Sequence, residues 1–413
     1  MLDLPIRKKP RRSSRLELKE MQEVKLKYVA DCPVGFFDML PPEIIHNVFG
    51  WLDAVDLSTL TVTSKSTRDL VEAWLATPGA LASLLPRHVF EEPPCRPGTG
   101  LLTTFQRLGL LQKRSTCLYF TRDRLRILWN FVDRVDAYWN GDSPGMPSAV
   151  TLACYGRFLH AAIAGWEECE CDKVFQTIEG RSRTVQLVER VLSSPPGAAK
   201  EDEVNLRLFY RLLYLDPCRT MRERQFWMNR ILAPQPIVRQ ARLMYLLYGP
   251  RTHDEILWDE TTDSIPHGAQ QDLFSAPDHW LAENVACLLL LAGDRLAVLL
   301  LANKALNGRI GEVARLLGAI CIMSHKFNRS QNWMMGVVQQ VCHAIGNPRD
   351  RTNLMQAIWD AFTTQIMDLW DMRRTHPGER DPDLIEEDVQ LLVSAHAEFG
   401  KVVLSRAIIP CPR

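Results

Sequence analysis

The chain has 413 residues, 46% of them hydrophobic and 24% charged, with 49 Lys and Arg cancelling 49 Asp and Glu. That balance describes a soluble globular protein of roughly two to three domains, excludes a wholly disordered chain, and gives no reason to expect a polyanionic partner for the molecule as a whole. Eleven Cys at irregular spacing are too few for a disulfide scaffold and fit reduced thiols of the cytosol or nucleus.

Residues 1–34 are expected to form a flexible basic arm. Within residues 1–27, nine basic side chains face four acidic ones, and few apolar residues offset the entropy of ordering. Arg7, Lys8, Lys9, Arg11 and Arg12 form a candidate nuclear import signal. The expected location is nuclear, with a cytoplasmic pool also allowed. No apolar segment follows this run, so no secretory signal is expected. Direct nucleic-acid binding is not expected, because no aromatic residues interleave with the charges to stack on bases.

Residues 35–80 read as a small three-helix unit. Pro41 and Pro42 suit a helix N-terminus, and Ile44, Ile45, Val48, Phe49 and Leu52 follow at helical spacing. A second short helix carries Leu57 and Leu60. A third is expected to start at Ser66, with Asp69 completing a capping box. Three helices in about 40 residues cannot build a large core, so one apolar face should bury against something else. Residues 81–115, with Pro86, Pro93, Pro94, Pro97, Gly98 and Gly100, read as a Pro/Gly-rich junction.

Beyond the junction nearly every segment has helical period. Residues 116–272 are expected to form a helical domain with helices over Arg122–Tyr138, Val150–Ala164, Lys173–Leu192, Glu201–Leu215, Arg222–Leu232 and Ile237–Tyr248. Residues 273–413 are expected to form a repeat-like helical domain. Its helices run over Trp280–Ala292, Leu296–Leu306, Ile310–Lys326, Gln331–Ile345, Pro348–Arg373 and Pro382–Leu404. Asn347-Pro348 and Asp381-Pro382 each place a capping side chain before a first-turn proline. The most apolar run, Val285–Ala302, is broken by Gly293-Asp294-Arg295, which predicts two buried helices rather than a membrane span. Short turns between helices predict antiparallel stacking of the α-solenoid kind, although no clean sequence period is visible. The expected fold class is all-α.

A search for chemistry finds little. Gly308 and Gly311 lie at a helix turn without the strand or Lys-Ser/Thr pair of a phosphate loop. Cys169 and Cys171, with Cys154 upstream, and Cys321 with His325, lack the further ligands that zinc requires, so core packing is the expected role of these cysteines. No nucleophile signature is present, and no cofactor, metal or catalytic residue is expected. Eleven Trp, including Trp166, Trp227, Trp280, Trp333, Trp359 and Trp370, are expected mostly in helical cores.

The order Leu40-Pro41-Pro42-Glu43-Ile44-Ile45, Val48-Phe49, Leu52, Asp56-Leu57, Leu60 and Ser64-Lys65 resembles the F-box. That family's module attaches substrate receptors to the Skp adaptor of SCF ubiquitin ligases. The resemblance implies a non-catalytic receptor whose partners are the Skp adaptor, the cullin and RING subunits reached through it, and a target protein of unknown identity. By the same resemblance Leu40, Pro41, Ile44, Ile45, Val48, Leu52, Leu57 and Leu60 carry adaptor binding, some of them by packing the module itself. Thr63 and Thr67, assigned to the third helix, stand where the family favours an apolar and an aromatic residue. Further runs, among them Gln240-Ala241-Arg242-Leu243 and Lys304-Ala305-x-Asn307-Gly308-Arg309, resemble an F-box subfamily without WD40 or leucine-rich repeats, which implies a setting in meiotic nuclei. The rival expectation is an interaction scaffold that keeps the F-box but does not direct ubiquitination.

Overall fold

The computed structural model describes residues 34, 37, 39–85, 99–139, 147–258, 272–274, 276–277, 279–375 and 382–408. The import signal expected at Arg7, Lys8, Lys9, Arg11 and Arg12 lies outside the described residues. Among those described are eighteen α-helices, one π-helical turn and no strand, with a single antiparallel bridge between Arg251 and Ile256. The all-α expectation holds. The chain separates into two compact units, residues 1–171 and 172–413. The division differs from the boundaries expected after residues 115 and 272.

The first unit contains α1 (Pro42–Gly50), α2 (Ala54–Thr63), α3 (Lys65–Leu75), α4 (Pro78–Leu84), α5 (Thr99–Ser115), α6 (Thr121–Trp139) and α7 (Ala149–Ala162). Local chemistry sets the short helices. Pro42 opens α1, and the Asp53 carboxylate caps α2 by accepting from the Val55 and Asp56 N–H groups at 2.8 Å. The cap of α3 is Ser64, not Ser66: extended backbone at Ser64 ends α2, and Thr67 completes the capping box in place of Asp69. Ser66 instead lies buried in the first turn.

The expected junction at 81–115 is largely helical where it is described. α4 reaches Leu84, and α5 starts at Thr99 and runs through Gly100. Glycine there costs about 1 kcal/mol relative to alanine, but Leu101, Phe105, Leu108 and Leu111 bury one continuous face that outweighs it. That face meets α7 at very short range. A Cβ on Gly109 would stand 2.3 Å from the Phe158 carbonyl oxygen, so only glycine permits this approach. Phe158 also stacks on Phe131 of α6, with ring centroids 4.5 Å apart. On its other side α5 supports α2, where Arg114 Nη1 donates to Ser58 Oγ at 3.0 Å.

α8 (Glu168–Arg181) runs across the division. The second unit continues with α9 (Thr184–Ser193), α10 (Lys200–Tyr210) and its π turn Arg211–Leu215, α11 (Met221–Leu232) and α12 (Ile237–Tyr248). It ends with α13 (Ala282–Ala292), α14 (Asp294–Leu306), α15 (Ile310–Lys326), α16 (Gln331–Ala344), α17 (Pro348–Thr375) and α18 (Pro382–Ile408). The single helix expected over Lys173–Leu192 is two helices. Arg183 adopts φ of 55°, a left-handed conformation that stops the helix although the apolar period runs on. The helix expected over Glu201–Leu215 loses its regular register at the π turn.

The apolar run Val285–Ala302 forms two helices that meet at Gly293, whose φ is 86°. Among the described residues no helix is long and apolar enough to cross a membrane. From α11 onward each helix packs on the next but one: α11 on α13, α13 on α15, α15 on α17, and α14 on α16. This layered order is that of an α-solenoid, as the short turns predict. Asn347 caps α17 by accepting from the Arg349 N–H at 3.1 Å, as expected; Asp381 lies outside the described residues.

Candidate protein-docking surface

The three-helix module divides its apolar side chains between an inner and an outer set. Ile45 (5% exposed) and Phe49 of α1, Leu57 (0%) of α2, and Val71 and Trp74 of α3 form the interior. Phe49 meets Trp74 edge to face at 6.1 Å. Of the eight residues expected at the adaptor interface, Ile45 and Leu57 are therefore internal. Pro41 and Ile44 are exposed, while Leu40, Val48, Leu52 and Leu60 are half-buried.

Four exposed apolar residues escaped the sequence reading: Met39 (80%), Trp51 (87%), Val55 and Val62 (57%). Trp51 follows the last residue of α1, seven positions after Ile44 and three after Val48, so it continues the outer edge of the helix's apolar stripe beside Ile44. The available signal was that spacing, which sets Trp51 with Ile44, both of them exposed. Together with Pro41 and Ile44 they give the module an exposed apolar set that a docking partner could cover.

The elbow between α2 and α3 is polar. Thr63 closes α2 and does not belong to the third helix. Its hydroxyl lies 2.9 Å from the Thr67 hydroxyl, which also contacts Ser64 Oγ at 3.0 Å and donates to the Leu60 carbonyl at 2.9 Å. Arg68 Nε bridges back to the Thr61 carbonyl at 3.1 Å. Polar ties to the rest of the unit hold the module from behind. Arg134 of α6 donates to the carbonyls of Leu75, at 2.6 Å, and Thr77. The Tyr119 hydroxyl donates to Glu72, and burial together with Glu72 and Asp69 raises its pKa above the ordinary phenol range.

The residues considered for chemistry are dispersed. Cys154 and Cys321 are buried, and burial pushes both thiols up to about 12, which keeps them un-ionised at neutral pH. Cys169 is exposed and donates weakly to Glu167. Among the described residues no three His, Cys, Asp or Glu are grouped to hold a metal ion. Trp227 is buried against Phe175 and Tyr214, as expected of a core tryptophan.

Comparison with known proteins matches both halves of this arrangement. The F-box domain model matches residues 37–73, covering α1 to α3 up to the last turn of α3. A second model, described as FBXO47, ARM repeats, matches residues 180–272 and 270–380, the region of layered helices. F-box only protein 47 of Homo sapiens is 31% identical over 408 residues, covering 90% of this chain and 89% of the relative. The protein of the same name from Mus musculus is 30% identical over 406 residues, with the same coverage. No solved structure matches the chain. An F-box with an exposed apolar face, followed by ARM-type helical layers and aligned nearly end to end with these relatives, is the signature of one group: the chain belongs to the F-box only protein 47 family.

Proposed function

We propose that the protein is a substrate receptor of an SCF-type ubiquitin ligase. Its F-box docks on the Skp adaptor, which links it to the cullin and RING subunits, and its helical layers hold a target protein near the charged E2. The observation that carries this reading is the exposed apolar set Met39, Pro41, Ile44, Trp51, Val55 and Val62 on a module that the F-box model matches. The contribution to catalysis is proximity, which turns the encounter of a target lysine with the E2 into a near-intramolecular event. Under this reading the protein forms no thioester itself.

The polar elbow at Thr63, Ser64 and Thr67 favours a second reading, in which the adaptor binds but the cullin complex is not engaged and the protein acts as a scaffold. The nuclear and meiotic setting belongs to the same proposal, and the basic run from Arg7 to Arg12 supports its nuclear part. Purification of the tagged full chain from cells, probed for adaptor and cullin beside a chain lacking residues 36–76, tests the two readings. Recovery of both partners only with the F-box present supports the receptor. Adaptor without cullin supports the scaffold, and recovery of neither defeats both.

A further inference from the structure

The turn between α5 and α6 presents two apolar side chains to solvent. Leu118 is 63% exposed and Phe120 85%, as open as Trp51 of the F-box. The turn itself is fully tied by backbone hydrogen bonds. The Thr116 N–H donates to the Gln112 carbonyl at 3.2 Å and the Tyr119 N–H to the Thr116 carbonyl at 3.0 Å. The Phe120 carbonyl accepts from the Asp123 and Arg124 N–H groups at 2.9 and 3.0 Å, which starts α6. Polar groups beyond the turn are engaged with one another. The Thr121 hydroxyl donates to Glu170, and Arg124 pairs with Glu170 at 3.1 Å while its guanidinium lies 4.4 Å from the centre of the Trp166 ring.

Single apolar residues on a surface are ordinary. This pair differs in being fixed to the F-box, although the matched F-box ends at residue 73. Tyr119, between the two, donates its hydroxyl to Glu72 of α3, and Arg114, in the last turn of α5, donates to Ser58 Oγ of α2 at 3.0 Å. Ser58 lies three residues after Val55 and four before Val62, so the exposed stripe of α2 borders the point at which α5 is held. Leu118 follows Arg114 by four residues. The outer apolar set of the F-box therefore continues through Val55 and Val62, past the Arg114 tie, to the turn. Because both ties are to the module, the turn holds a constant place relative to that set. Rigid apolar groups with a satisfied polar surround are what the centre of a docking surface requires. The helical layers matched as ARM repeats belong to the second unit, so continuity favours the F-box's own partner over a target held elsewhere.

We infer that Leu118 and Phe120 form a second contact for the Skp adaptor, outside the F-box and continuous with it, which takes an apolar surface of the same adaptor molecule. The inference rests on the adaptor docking proposed above and extends its footprint by one turn. The test is calorimetric titration of purified adaptor into the full chain, into Phe120→Ser, into the double variant Leu118→Ser with Phe120→Ser, and into Phe120→Leu. Both side chains are exposed, so thermal melts of the variants should match the wild type. The double variant should bind the adaptor more than about tenfold more weakly, Phe120→Ser should fall between it and the wild type, and Phe120→Leu should keep most of the affinity. Trp51→Ala, measured beside them, reports on the F-box contact alone. Wild-type affinity in the double variant, with binding still weakened by Trp51→Ala, overturns the second contact and leaves the F-box reading standing. A wild-type chain that does not bind the adaptor defeats both. Light scattering of the free chain supplies the remaining outcome: a wild-type dimer that the double variant dissociates would give the turn to a second copy and overturn its assignment to the adaptor.

Discussion

The hydroxyls of Thr63 and Thr67 stand 2.9 Å apart across the elbow that joins the second and third helices of the F-box. Thr67 is the hub: its side chain reaches Thr63, Ser64 and the Leu60 carbonyl, and its N–H donates to Ser64 Oγ at 3.0 Å. A threonine in each place replaces apolar packing with a directional network, so the elbow angle depends on hydrogen bonds. Thr67→Ala removes all the side-chain contacts and one half of the capping box. It should cost about 1–2 kcal/mol of stability, read as a lower urea midpoint for the first unit. A variant as stable as wild type would mean that water replaces the network without loss.

Burial separates two kinds of F-box substitution. Trp51→Ala removes an 87% exposed side chain and should change stability by less than about 0.5 kcal/mol while weakening adaptor binding by about 2 kcal/mol. Leu57→Ala empties a fully buried site and should cost about 2–5 kcal/mol of folding free energy, with adaptor binding lost through unfolding. Calorimetric titration of adaptor into each variant, beside its thermal melt, distinguishes them. Undiminished affinity in the Trp51 variant would remove that residue from the interface.

Gly109→Ala tests the contact between α5 and α7. Alanine is the better helix former by about 1 kcal/mol, so propensity alone predicts stabilisation. The new methyl would meet the Phe158 carbonyl oxygen at 2.3 Å and the Ala161 methyl at 2.8 Å, and a backbone oxygen cannot rotate away. Overpacking should win, with a net loss of more than about 1 kcal/mol. A raised melting temperature would show that the two helices can separate without penalty.

How much of this was legible in the sequence depended on the range of the interaction responsible. Helices set by a local apolar stripe and a proline or glycine stop, such as Ile237–Tyr248 and Ile310–Lys326, fall where the period places them. The break at Arg183 was hidden because a left-handed arginine carries no compositional mark and the apolar period continues through it. α5 was hidden for the opposite reason. The prolines before it and the glycines at its start read as a junction, and the burial against α7 that makes it a helix involves residues some 50 positions away. In the F-box the motif placed the helices and most of the candidate set, but the division between Ile45 inside and Ile44 outside follows from how three helices meet. Trp51 lay outside the motif's pattern altogether.

Glu179 makes the second unit sensitive to pH. Its carboxyl lies beside Tyr210 and Tyr214, and burial pushes its pKa up to about 7, a shift opposed by the Tyr210 hydroxyl, which donates at 3.3 Å. Because the folded pKa lies above the ordinary value of 4.5, the folded chain binds more protons than the unfolded chain between those two values. Stability from this group is therefore highest below about pH 4.5, falls as pH rises through the window to about 7, and stays at its lower level above it. The full change is at most about 3 kcal/mol. Glu179→Gln keeps the size and a neutral polar end while removing the titration. Its unfolding midpoint should vary less than the wild-type midpoint between pH 5.5 and 8, and at pH 8 the variant should be the more stable of the two. Parallel pH profiles for the two proteins would show that Glu179 is solvated in the fold and that its buried carboxyl costs nothing.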